Sequence, residues 1–151
     1  MATIEIYDED EHGILAFDLA KLLEVVEPFG IALEWYFLEF EPVDLTGPNG
    51  SSDIPPPWVS ELYQRLRKEP NSVKVEWEML KQFACHVKQT MDATLIGVFP
   101  GTPQPIAPLN VDNPQYEIVI QCIDTSLWAL TCRNQELIGR IRSSFRETKI
   151  V

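Results

Sequence analysis

Tyr116-Glu117-Ile118-Val119-Ile120-Gln121-Cys122-Ile123-Asp124-Thr125-Ser126-Leu127-Trp128-Ala129-Leu130-Thr131-Cys132 decides the architecture. Two β-rich runs, Tyr116 to Ile123 and Ser126 to Cys132, flank Asp124-Thr125, and a polar pair between such runs predicts an antiparallel hairpin. Upstream, residues 93–99 (Ala-Thr-Leu-Ile-Gly-Val-Phe) read as another strand. The segment between, 100–114, carries Pro100, Pro103, Pro105, Pro108 and Pro114, so it is a long connection and neither a helix nor a central strand. Strands clustered after a helical middle point to an α+β fold with a mostly antiparallel sheet, not a parallel α/β sheet.

Working outward, Asn134 is placed to cap a last helix whose Leu137, Ile138, Ile141 and Phe145 share one face. Arg140, Arg142 and Arg146 gather towards its carboxyl end, where the helix dipole favours cations. Towards the amino end, Trp77, Leu80, Ala84, Val87 and Met91 recur at helical spacing and predict a helix running to residue 91. A shorter helix covers Trp58 to Leu66, with proline at its start and Pro70 after it. Residues 31–42 are dense in aromatic and aliphatic side chains and read as an interior strand. Before it, Asp18 caps a helix carrying Leu19, Leu22, Leu23 and Val26, while residues 2–7 alternate as a half-buried first strand. The expected order is β-α-β-α-α-β-β-β-α, with about four helices in one domain over residues 1–151.

A chain of 151 residues can bury a single sufficient core without disulfides. Cys85, Cys122 and Cys132 form no CxxC pair and read as reduced, mostly buried thiols. The amino terminus lacks the basic and apolar regions of a signal peptide, and no run of about 18 apolar residues suggests a membrane span. The expectation is a cytoplasmic protein that does not engage a membrane.

Charge is the most informative property. The net charge is −11, and residues 1–53 hold thirteen acids against Lys21 alone, leaving the rest of the chain near neutrality. Such a surface repels nucleic acid, whose binding needs lysine and arginine to displace counterions, and attracts a basic protein. The acids singled out as a contact are Asp8, Glu9, Asp10 and Glu11 in a turn expected to be exposed, with Glu39, Glu41 and Asp44. Trp58, where the Pro-rich loop 44–57 meets a helix, is a candidate anchor, although packing that helix on the core is its more ordinary role. The competing reading of the acids is that they only keep the protein soluble.

Catalytic and metal chemistries find little support. Asp8, Asp10, His12 and Gly13 fall on positions of an EF-hand loop, but its last position is Leu19 and a histidine replaces an oxygen ligand. Cys85 and His86 are helix neighbours about 100° apart and cannot act as a dyad. No GxxxxGK[ST], GxGxxG or GxSxG occurs. No cofactor, metal or catalytic residue is therefore expected, and an enzyme is the less favoured reading.

Two stretches carry a resemblance: Val75-Glu76-Trp77-Glu78-Met79-Leu80 through Phe83-Ala84 to Gln89 and Asp92, and Asp124 through Trp128 to Leu137-Ile138 and Phe145. They resemble small acidic bacterial proteins of the immunity type that accompany polymorphic or contact-dependent toxins. The resemblance implies binding and blocking of a toxin domain, often a nuclease with a basic groove. The alternative is a non-enzymatic adaptor or homo-oligomer whose interface is apolar or lies on a sheet edge.

Overall fold

The computed structural model describes residues 1–9, 18–48, 51, 53–69 and 71–151. Its elements are β1 (Ala2–Ile6), α1 (Leu19–Gly30), β2 (Glu34–Leu45), α2 (Pro57–Lys68), β3 (Val73–Val75), α3 (Trp77–Ala84), β4 (Val87–Val98), β5 (Ile118–Ile123), β6 (Leu127–Cys132), α4 (Gln135–Ser144) and β7 (Thr148–Ile150). The expected α+β class and element order are found, with the short strands β3 and β7 added. One seven-stranded sheet runs β3-β2-β4-β5-β6-β1-β7, and every pairing is antiparallel.

Alternation along the strands sends Trp35, Phe37, Phe40, Leu95, Ile120, Trp128, Leu130, Ile4 and Ile6 to one face, where they meet the apolar stripes of all four described helices. Phe83 of α3 lies at the centre, edge-on to Phe37 and Phe40 with ring centroids 6.0 and 5.4 Å away. The Trp35 indole donates to the Gly30 carbonyl at 2.8 Å, and a Cβ on Gly97 would lie 3.0 Å from its ring. Glycine next to the end of β4 thus makes room for tryptophan on the neighbouring strand.

Asp18 is the N-cap read from the sequence, accepting from the Leu19 N–H at 2.8 Å. Its carboxylate also accepts from the Gln89 N–H and from the Thr90 hydroxyl, which ties the start of α1 to β4. Gln89 has φ 57°, a left-handed conformation that the carboxylate stabilises by holding its N–H.

Two boundaries differ from expectation. The third helix stops at Ala84, and β4 already begins at Val87. His86 fixes the break: its backbone N–H closes the helix onto Phe83, and its carbonyl accepts from the Thr46 N–H at 2.7 Å. Val87 is buried at the start of the strand and Met91 is exposed beside a register shift, so neither extends the helix stripe. The turn expected from Asp8 onwards is not solvent-exposed at its start, because Asp8 is buried; residues 10–17 lie outside the described residues.

The β5–β6 hairpin turns through Asp124 and Thr125 at φ 49° and 56°, with the Ser126 N–H donating to the Ile123 carbonyl. Both central residues are left-handed, the geometry that suits strand twist. Threonine is poorly suited to it because its branched Cβ crowds the backbone. Thr125→Gly is therefore expected to stabilise the protein by about 1 kcal/mol. The check is a rise in the denaturant midpoint at unchanged slope, and a fall would show that the Thr125 hydroxyl bond to the Asp124 carbonyl outweighs the strain.

Candidate binding face

Because the described helices all pack on one face, the described residues cover the other face of the sheet only in part. Tyr36, Ile96, Val98, Tyr116 and Val119 form a small second cluster there, joined by Leu38, Leu109 and Val111. The Pro-rich connection thus lies against this half of the face. Beyond it, strand register lines up Glu39 on β2, Thr94 on β4, Gln121 on β5, Ala129 on β6, Glu5 on β1 and Lys149 on β7. The next position brings Glu41 directly opposite Asp92.

The β2–β4 pair owes this arrangement to two irregularities. An extra residue between Phe37 and Glu39 restores Phe40 to the core and turns Glu39 to the open face. Past Phe37, β2 has no β3 partner, and Glu39, Glu41 and Pro42 occupy that stretch. Charge and proline also discourage a foreign strand from adding there.

The acids and the tryptophan expected to act together separate into groups. Asp8 does not belong to a contact surface: it accepts from the backbone N–H groups of Arg146 and Glu147 at 2.9 and 2.6 Å and lies 3.8 Å from the Arg146 guanidinium. Its carboxylate is committed to holding the chain between α4 and β7. Glu9 is exposed, and its carbonyl accepts from Arg146 at 3.3 Å. Asp10 and Glu11 lie outside the described residues. Glu39 and Glu41 are exposed on the open face, whereas Asp44, also exposed, sits further along β2 opposite Lys88 and accepts from the Leu45 N–H. Trp58 is half-buried against the helix-side core, edge-on to His86 at 5.9 Å, so it does not join the acids.

Asp92, Thr94 and Gln121 were not singled out from the sequence. The alternation Asp92, Thr94, Ile96, Val98 carried the signal, but assigning residues up to 91 to a helix hid how these positions continue a long strand. Asp92 also accepts from the Asp124 N–H at 3.1 Å, which fixes its carboxylate beside the hairpin turn.

Elsewhere the described residues offer little reactive chemistry. His86 Nδ1 is 3.0 Å from the Thr46 carbonyl, which can only accept, so this nitrogen carries the proton; its ring is turned to Trp58. Burial, reinforced by the charges of Asp18 and Asp92, pushes the Cys122 thiol up to about 12. Burial also raises Cys132 and makes both poor nucleophiles at neutral pH. A groove of about 610 Å³ between α1 and α3 is lined by Lys21, Glu24, Glu27, Glu78 and Lys81, with a 2.6 Å Lys81–Glu27 ion pair on its wall. The hydrogen bonds to Lys81 and Trp77 hold Glu27 below its ordinary range. Among the described residues, no group of three or more His, Cys, Asp or Glu is placed to hold a metal, and no helix is long and apolar enough to cross a membrane. Comparison with protein-family models, curated proteins and solved structures returns no match.

Proposed function

We propose that the protein binds a basic protein through the open sheet face and blocks it, in the manner of an immunity protein covering the basic groove of a toxin domain. The observation that supports this reading is Glu41 standing opposite Asp92 with Glu39 beside them. Like charges in register repel one another, and although Tyr63 hydrogen-bonds Glu41 and the Asp124 N–H donates to Asp92, a cation placed over the pair would relieve that repulsion. Glu39, Glu41 and Asp92 take no part in the ion pairs among the described residues. The acidic excess of the first third would steer a basic partner to this face and speed association at low salt.

The test is affinity capture by the tagged protein from its own cells at low and high salt, repeated with Glu39→Lys/Glu41→Lys. A basic partner that is lost at high salt and bound about tenfold or more weakly by the double variant is the expected result. A partner retained equally by both proteins would remove the acidic face from the interface.

A second reading rests on β7, an edge strand with Ile150 and the adjoining Val151 exposed. Such an edge can pair with another copy of the chain. Concentration-dependent dimerisation by sedimentation, insensitive to salt, would favour this adaptor or oligomer role.

A further inference from the structure

We infer that β7 pairs with β7 of a second copy, antiparallel about a two-fold axis at Thr148, and so joins two sheets edge to edge. This deepens the oligomer reading above and rests on it; the acidic face is a separate surface. Among the described residues β7 pairs only with β1, and Lys149, Ile150 and Val151 are exposed. Its bonds to β1 fall on alternate residues: the Tyr7 N–H donates to the Glu147 carbonyl and the Val151 N–H to the Thr3 carbonyl, with Lys149 opposite Glu5 between them. In such a ladder the intervening residues, Thr148 and Ile150, turn their N–H and C=O groups outward. Asp8 holds the backbone N–H groups of Arg146 and Glu147, so the chain entering this edge is already set. The opposite edge differs, because Ser72 bonds Pro105 and Gln104 and brings the Pro-rich connection to the start of β3.

Charge selects both the occupant and the register. With Thr148 opposite Thr148 of the second copy, Lys149 meets Glu147 of that copy, and the two-fold axis repeats the contact. Both residues then occupy non-hydrogen-bonded positions, where side chains across the pair come closest. The neighbouring register that keeps the same outward groups bonded would instead set Lys149 against Lys149. A lone lysine on an edge strand discourages pairing. Here Glu147, exposed and two residues earlier on the same face, makes that lysine self-complementary. Neither side chain takes part in the ion pairs among the described residues. Ile150 is half exposed and falls opposite Arg146, whose exposed aliphatic stem can cover it. Because cross-strand neighbours share a face, the acidic faces of both copies come to lie on one side of the joined sheet.

The experiment is sedimentation velocity of the full chain over a concentration series, run also on Lys149→Glu, on Glu147→Lys and on an equal mixture of the two variants. The unaltered protein is expected to dimerise as concentration rises. Each variant alone sets like charges opposite one another at both symmetry-related contacts and should associate about tenfold more weakly. The mixture is expected to recover the association, because acids at both positions of one variant meet bases at both positions of the other. Variants that had merely misfolded could not restore each other. Dimerisation that Glu147→Lys leaves unchanged, or a mixture no stronger than its components, would overturn this pairing while leaving self-association in place. A chain that stays monomeric throughout would overturn the pairing and the oligomer reading together, and would leave the acidic face to be decided by capture of a basic partner.

Discussion

Phe83→Ala lowers the free energy of unfolding by about 4 kcal/mol. Phe83 is fully buried, and α3 contributes through it the ring that packs edge-on against both Phe37 and Phe40 of β2, which also touch each other. Truncation removes its burial and two edge-to-face contacts together, and leaves a cavity that rigid strands on one side and α3 on the other cannot close. Urea unfolding followed by tryptophan fluorescence should show the midpoint falling with little change in slope. A loss below about 1.5 kcal/mol would mean that the helix layer collapses into the space, and that the sheet and helices are less tightly keyed than the aromatic geometry indicates.

Asp18→Ala is expected to cost about 2–3 kcal/mol. The substitution removes the cap of α1 and also strips the partner from the Gln89 N–H at the point where β4 adopts its left-handed residue. Burial raises the Asp18 carboxyl above its ordinary 3.8 against the pull of its donors on Leu19, Thr90 and Gln89. With the folded value raised, the stability contributed by this titration is fully present below 3.8 and is lost as pH rises through the higher folded value. The gap between the unaltered protein and Asp18→Ala should therefore be wider at acid pH and narrow towards neutrality. Chemical denaturation of both proteins across that range checks the sign; a gap that widens with pH would show that the hydrogen bonds dominate burial.

The sequence disclosed those features that repeat with a period. Alternation in β5 and β6, the Asp18 and Asn134 caps and the stripes of α1 and α4 all read directly from residue type and spacing. Strands of three residues, such as β3 and β7, are too short to show alternation and exist because β2 and β1 offer them an edge. The α3–β4 boundary was hidden because Val87 and Met91 fall at helical spacing from Trp77, although the chain turns at His86 to reach Thr46.

The candidate face was legible only as charge. Glu39 and Glu41 were visible as acids in an aromatic-rich strand, but nothing in a sequence tells a solvated carboxylate from one like Asp8, whose partners lie far along the chain at Arg146 and Glu147. Thr94 and Gln121 are ordinary residue types whose role depends on which strands adjoin them. Register across β2, β4 and β5 supplied that information.

The placement of β1 also bears on how the chain is made. Its partners are β6 and β7, so Ile4 and Ile6 leave the ribosome early and meet their neighbours late. At roughly 5–20 residues per second, the on the order of 120 residues separating β1 from β6 take roughly 6 to 25 s to synthesise. During that interval β2, β4 and β5 can zip up in sequence as each emerges, while β1 remains an unpaired apolar strand. The nascent protein therefore needs either chaperone cover for its first strand or rapid closure once β6 appears.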